Sequence, residues 1–209
     1  LRMPDHSVAL QLLSQLEFPL AAPSANPFGA ISPTKSEHVY HYFKDTLNLI
    51  LEGGSCEKGI ESTIIGFENE VPIIYRLGSL SVEDIVSKIG PIQVKTTNSN
   101  NTPEAPGMLS RHYAPKTSTF LTENVSAFIK LHPTKKIGVL LFHESIKYNL
   151  VAAQEILSKT RNLNEAAKNL YAAMHRLDLL NLDMIIAEKL PNNGLGKTIN
   201  DKLERATKK

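Results

Sequence analysis

Apolar residues fall at helical spacing from Val8 to Leu16, with Val8, Leu12, Leu13 and Leu16 on one stripe, and predict an amphipathic helix. The short apolar run Phe18 to Ala22 predicts a buried strand. Pro23, Pro27, Gly29 and Pro33 then break the chain repeatedly, which predicts a structured loop. Ser32 followed by Pro33 predicts a helix start, because the hydroxyl can cap and the missing N–H of proline costs nothing in a first turn; the helix would reach about Phe43. Leu47 to Leu51, Ser62 to Phe67 and Val71 to Arg76 are apolar and partly β-branched, and predict strands. Ser81-Val82-Glu83-Asp84 predicts a capped helix that Gly90-Pro91 ends.

From Thr96 to Pro106 there is no Val, Ile, Leu or Phe, so the stretch adds little to a core and reads as a linker. Beyond it the pattern alternates. Glu123 to His132 predicts a helix, Lys136 to Phe142 a buried strand and Leu150 to Lys159 a helix. A longer helix from about Asn164 carries Ala167, Leu170, Met174 and Leu177 on one stripe; Asp183 to Ala187 predicts a strand and Lys197 to Ala206 a last helix. This alternation predicts an α/β protein with an open parallel sheet and flanking helices. The expected division is 1–95, a linker over 96–116, and 117–209.

Composition narrows the function classes. Of 209 residues, 42% are hydrophobic and 21% charged, which supports a buried core and excludes a disordered tail. The longest apolar run, Ile137 to Phe142, is far short of the roughly 18 residues of a membrane helix, and no signal-peptide pattern opens the chain. A formal charge of +2 is low for a protein that lives by gripping phosphate backbones. Cys56 is the only cysteine, so neither an internal disulfide nor a thiolate metal cluster can form. The chain reads as soluble and cytoplasmic, with no membrane partner. Because it opens on Leu1-Arg2-Met3-Pro4, it reads as the back part of a longer protein.

Candidate chemistry concentrates in a few places. Pro23-Ser24-Ala25-Asn26 through Ser32-Pro33-Thr34 sets two hydroxyls and an amide on a loop entering a helix, where free N–H groups favour an anion. A plain cap at Ser32 and an Asx turn at Asn26 explain the same residues equally well. Glu61-Ser62-Thr63 stands where an apolar strand begins; Glu61 suits a base, a metal ligand or a surface charge, and Ser62 can donate to an anion. Arg76 closes a strand, a position where open α/β sheets bind ligands, and Arg2 has the same ambiguity. Ser110-Arg111-His112-Tyr113-Ala114-Pro115 could form a flap over a nucleotide. Other signals fail. Gly194-Leu195-Gly196-Lys197-Thr198 lacks the first glycine of a phosphate loop, where Pro191 stands, and also misses the dinucleotide fingerprint. His38 and His41 have no zinc-binding context, and Cys56 has no partnered histidine.

Taken in order, Arg-Met-Pro-Asp-His, Leu-Ala-Ala-Pro-Ser-Ala-Asn, Ile-Ser-Pro-Thr, Gly-Ile-Glu-Ser-Thr-Ile-Ile, Tyr-Arg-Leu-Gly-Ser and Pro-Gly-Met-Leu-Ser-Arg-His-Tyr-Ala-Pro resemble the YrdC/YciO family in its longer, two-domain form. The ending Gly-Leu-Gly-Lys-Thr-Ile-Asn-Asp is similar to the close of that form. The resemblance runs from Arg2 to about Ala206 and corresponds to the C-terminal two-thirds of such a protein. It implies the second half of a YrdC-like catalytic domain, a linker and a Rossmann-like domain. The implied reaction joins L-threonine, bicarbonate and ATP, with Mg²⁺, into threonylcarbamoyl-adenylate for a downstream tRNA-modifying machinery; tRNA is only an indirect partner.

By the same resemblance, Arg2, Ala22 and Ser62 match threonine-holding positions. Ser24, Asn26, Ser32 and Arg76 match ATP-binding positions, and Arg111, His112 and Tyr113 match the segment that folds over the site. Ser62 and Arg76 are therefore expected to serve different substrates. No residue stands out as a general base. Two departures matter. Arg76-Leu77-Gly78 replaces the family's Arg-Pro-Gly, and the Lys-x-Arg motif of the first half is absent; Lys159-Thr160-Arg161 has the letters but falls in the other domain. The rival expectation is a non-catalytic RNA- or protein-binding fragment. Nicotinamide binding by the C-terminal part is disfavoured without a glycine fingerprint.

Overall fold

The computed structural model describes residues 3–95 and 109–208. Two sheets organise it. The first is small: β1 (Ile64–Glu68) pairs antiparallel with β2 (Val71–Arg76), and β2 pairs parallel with the short β3 (Gln93–Val94). The same half of the chain holds α1 (Ser7–Ser14), α2 (Ser36–Phe43), a 3₁₀ turn at Lys44–Thr46 and α3 (Val82–Ile89), whose Ile85 packs with Ile74 of β2. The second sheet holds β4 (Thr119–Thr122), β5 (Ile137–Leu141), β6 (Val151–Ile156) and β7 (Met184–Glu188), all parallel, in the order β4-β7-β5-β6.

Strand alternation sends the second sheet's side chains into two cores. Ile137, Val139, Leu141, Met184 and Ile186 face α4 (Val125–Lys130) through Val125 and Ile129. Leu140, Ile185 and Ala187 face α5 (Leu163–Asp178) and α6 (Leu195–Ala206). The helix stripe on α5 is as expected: Ala167, Leu170, Met174 and Leu177 are all buried, and Asn162 caps its start by accepting from the N–H groups of Asn164 and Glu165. Ser81 likewise caps α3, and Gly90, with φ +84°, ends it.

Four expected elements differ. Phe18 to Ala22 and Leu47 to Leu51 are not strands; Phe18 (61% exposed) and Leu49 (75% exposed) have no sheet to join among the described residues, and an apolar run without a ladder partner does not make a strand. The helix after Ser32 begins only at Ser36, with Lys35 at its cap position, because the Ser32 hydroxyl is used elsewhere. Leu150 to Lys159 contains β6 rather than a helix. Its Ala-Ala-Gln-Glu centre favours helix locally, but the open edge of β5 takes it as a parallel strand. Most of the expected linker lies outside the described residues.

The two parts are packed against each other. Ala114 bridges to Ala30, with its N–H donating to Gly29 O at 2.9 Å. The rings of His38 on α2 and His175 on α5 stack at 3.8 Å and 19°, with Tyr42 edge-on to His175. The Thr34 N–H donates to His38 Nδ1 (3.1 Å), which fixes that nitrogen as an acceptor. Burial, then the neighbouring His175, holds His38 down from 6.5 to about 3, and burial lowers His175 as well; Lys35, His41 and Arg176 add repulsion and Asp178 opposes it. The sign follows directly. The unfolded chain takes protons below pH 6.5 that the stacked pair refuses, so stability is full above that value and falls as pH drops toward about 3. The expected limiting slope from His38 is about 1.4 kcal/mol per pH unit. Denaturant unfolding across this range checks it, and His38→Gln should flatten the curve.

Candidate active site

The polar triplet Glu61-Ser62-Thr63 is fixed against the turn that follows β2. Ser79 N–H donates to Glu61 O (2.9 Å), and the Thr63 hydroxyl donates to Leu80 O (2.8 Å) while accepting from Leu80 N–H (3.1 Å). Gly78 permits this approach: a Cβ there would lie 2.2 Å from Thr63 N. Antiparallel pairing sets Arg76 beside the triplet. Its Nε and Nη2 donate to Ser62 O at 3.1 and 2.9 Å, and Nη2 also reaches Ser62 Oγ at 3.3 Å. Ser62 and Arg76 are thus hydrogen-bonded to each other.

Glu61 joins three parts of the chain. Its Oε1 accepts from the Ser32 hydroxyl at 2.7 Å, and its Oε2 accepts from the Tyr171 hydroxyl at 2.8 Å. Tyr171 lies on α5 and is 1% exposed, so the second half of the protein supplies a wall of this region. A cleft of about 330 Å³ opens here, lined by Ser24, Ser32, Thr34, Lys58, Glu61 and Tyr171, with Cys56 at its edge. Gly59 sets its floor. With φ +72° and space for a Cβ only 2.1 Å from Lys168 O, this position brings the loop into backbone contact with α5.

Behind Tyr171 is a buried polar layer. Tyr113 is 1% exposed, has φ +60°, and stacks on Tyr171 with centroids 5.4 Å apart. The fully buried Lys202 places Nζ 4.8 Å over the Tyr113 ring and 3.3 Å from Asp201 Oδ2. Arg205 donates from Nε to Asp201 Oδ1 (3.0 Å) and from Nη1 to Leu109 O (2.6 Å). Burial, then the Glu61 charge, pushes both tyrosine hydroxyls up, so each is held as O–H; burial pulls the Lys202 ammonium and the His112 imidazole down. The Arg111-His112-Tyr113 run is therefore seated in the core at Tyr113.

The expected site residues divide as follows. Ser24 and Ser32 line the cleft. Asn26 steadies its own loop, donating from Nδ2 to Pro27 O and Ala30 O at 3.2 Å each, while its buried Oδ1 has no partner among the described residues. Ala22 is exposed on the segment before the cleft. Arg111 lines a different cleft of about 300 Å³, with Phe28, Tyr42, Lys116 and Asp178. Arg2 lies outside the described residues. Tyr171 and Lys202 were not foreseen: one sits beside Leu170 in a helical stripe, the other in a charged helix, and neither position carries a local sign of its distant partner. Both Glu61 oxygens accept hydroxyl bonds, so this carboxylate is a structural anchor of the cleft. No group of three His, Cys, Asp or Glu side chains suited to a metal occurs among the described residues.

Two family models match successive parts of the chain. Residues 80–207 match the family described as "Threonylcarbamoyl-AMP synthase, C-terminal domain", and residues 1–78 match the family described as "Telomere recombination". The threonylcarbamoyl-AMP synthase of Bacillus subtilis is 36% identical over 99% of this chain, and that of Pyrococcus abyssi 34% identical over 99%. The chain spans 62% and 63% of the lengths of these two relatives. Among solved structures, P. abyssi Sua5 complexed with L-threonine superposes with a TM-score of 0.85 at 34% identity, covering 99% of this chain and 63% of that one. A variant of the same protein with a histidine and a tyrosine replaced by alanine gives 0.82 at 32% identity, covering 99% and 62%. With the C-terminal model covering more than half of its residues, the chain belongs to the threonylcarbamoyl-AMP synthase family.

Proposed function

We propose that this chain forms the nucleotide- and threonine-holding part of a cytoplasmic L-threonylcarbamoyladenylate synthase. It comprises the later part of the catalytic domain (1–95), a linker (96–116) and a Rossmann-like C-terminal domain (117–209). The single observation that carries the reading is the cleft at Glu61, where the Ser24 and Ser32 hydroxyls, Lys58 and the peptide groups of a rigid loop converge under a wall supplied by Tyr171. Threonine amine and bicarbonate give a carbamate with loss of water. A carbamate oxygen then attacks the α-phosphorus of ATP, and the bond to pyrophosphate breaks. Such a step needs alignment and charge neutralisation more than a protein base. The residues here fit that demand, with hydroxyls, Lys58 and Arg76 toward phosphate and Ser62 toward threonine. A magnesium ion fits as one carried by the triphosphate oxygens, since Mg²⁺ keeps few protein ligands. The product passes to the machinery that modifies tRNA.

Calorimetric titration tests the reading. Mg·ATP should bind, and Ser24→Ala, which removes a hydroxyl lining the cleft, should weaken it about tenfold, the loss of a hydrogen bond to a charged group. Ser62→Ala should weaken L-threonine and leave ATP nearly unchanged, whereas Arg76→Ala should chiefly weaken ATP. An absence of ATP binding, or ATP binding untouched by Ser24→Ala, would overturn the assignment.

A further inference from the structure

The carboxyl edge of the four-stranded sheet holds a second crevice, independent of the Glu61 cleft. After β4 the chain turns to α4 on one face of the sheet, whereas after the neighbouring β7 it turns to α6 on the other. Adjacent strands whose connections leave to opposite faces open a gap between their carboxyl ends, and in open α/β sheets that gap is where ligands bind. The gap here measures about 540 Å³, within the usual range for a small-molecule site. Residues following all four strands reach it: Glu123 after β4, Phe142 and His143 after β5, Arg161 after β6, and Glu188 to Asn192 at the end of β7.

Its side chains offer three complementary features. The first is positive charge that is easily recruited. Arg161 pairs with Glu144 at 2.9 Å and Lys189 with Glu123 at 3.4 Å, and the acidic partners are 73% and 81% exposed, so neither pair holds its cation strongly. His143 adds an imidazole whose Nδ1 is buried without a partner among the described residues. The second is a fixed acceptor. Glu188 Oε2 takes the Phe142 N–H at 2.7 Å, which orients the carboxylate and leaves its other oxygen without a partner among the described residues. The third is an apolar wall from Phe142, Leu190 and Pro191. Two devices hold the shape. Asn200 clamps Leu190 through both its N–H and its C=O at 2.9 Å, and Arg161 keeps a left-handed backbone at φ +60°, a conformation costly for a side-chain-bearing residue.

We propose that this crevice is a second ligand site, for a phosphorylated and hydroxylated small molecule of the nucleoside-monophosphate class. Arg161 and Lys189 take the phosphate, Glu188 accepts from sugar hydroxyls, and the apolar wall receives the ring. The proposal stands apart from the synthase reading, because it uses no residue of the Glu61 cleft.

Amide resonances of the isotope-labelled protein, followed during titration with AMP, ribose 5-phosphate, adenosine or inorganic phosphate, test it. AMP should shift Glu123, His143, Arg161, Lys189 and Asn192, and bind at least tenfold more tightly than adenosine or phosphate; ribose 5-phosphate should fall between. The exposed pair of changes Arg161→Ala and Lys189→Ala should weaken AMP at this edge at least tenfold with an unchanged melting temperature, while Ser32→Ala leaves it as it was. No shift at millimolar AMP, shifts confined to Ser24, Ser32 and Glu61, or full binding by the double variant would each overturn the proposal. The last two leave the synthase reading standing.

Discussion

Gly59→Ala is expected to destabilise the protein by roughly 3 kcal/mol or more, the upper end of what overpacking costs. Two causes act together. The position has φ +72°, which an alanine adopts only with strain, and the new methyl would lie 2.1 Å from Lys168 O and 2.5 Å from Lys168 Cα. The obstruction is backbone of α5, so no rotamer change relieves it; either the loop carrying Glu61 or the helix must move. Because Glu61 and Tyr171 meet across this contact, the same change should also open the cleft. Denaturant unfolding gives the stability, and Tyr171 fluorescence or hydrogen exchange reports the separation. A variant within about 0.5 kcal/mol of the parent, the range of an ordinary surface change, would show that this contact is not tight.

Glu61→Ala should be nearly as damaging, by about 3 kcal/mol. It removes the acceptor of two hydroxyls, one of them on a tyrosine that is 1% exposed, and a buried donor left unmatched costs about 1–3 kcal/mol. Tyr171→Phe removes one donor with almost no change of shape and should cost less, about 1.5 kcal/mol. The two changes share one hydrogen bond, so they should be markedly non-additive in a double-mutant cycle. Additive effects would mean that the Tyr171 hydroxyl does not serve Glu61.

Local signals announced the parts of the fold that local chemistry fixes. Ser81 with Asp84 caps α3 and Gly90 stops it, all within ten residues of chain. Leu170 and its stripe on α5 were legible because burial of one helix face follows the 3.6-residue period. Strands depend on partners, and this is where reading from sequence weakens. Val151–Ile156 is a strand because β5 has a free edge, while the equally apolar Leu47 to Leu51 stays out of both sheets. The site shows the same limit. Ser24 and Ser32 were identifiable as hydroxyls on a proline-rich loop, and both line the cleft. The Glu61–Tyr171 bond spans 110 positions, and a tyrosine within an apolar stripe gives no sign that its hydroxyl meets a carboxylate from the other half. Arg76 donates to the peptide and reaches the hydroxyl of Ser62, a contact set by the register between β1 and β2 that no local signal carries.

Hydrogen–deuterium exchange of the protein with and without Mg·ATP and L-threonine tests the central claim most directly, because it reports where the substrates act. Together they should slow exchange in 22–34, in 59–63 and in the α5 turn around Tyr171, with the segment 109–116 protected alongside. Protection confined to the carboxyl edge of the parallel sheet, or no protection at saturating substrate, would contradict the placement of the synthase site at Glu61.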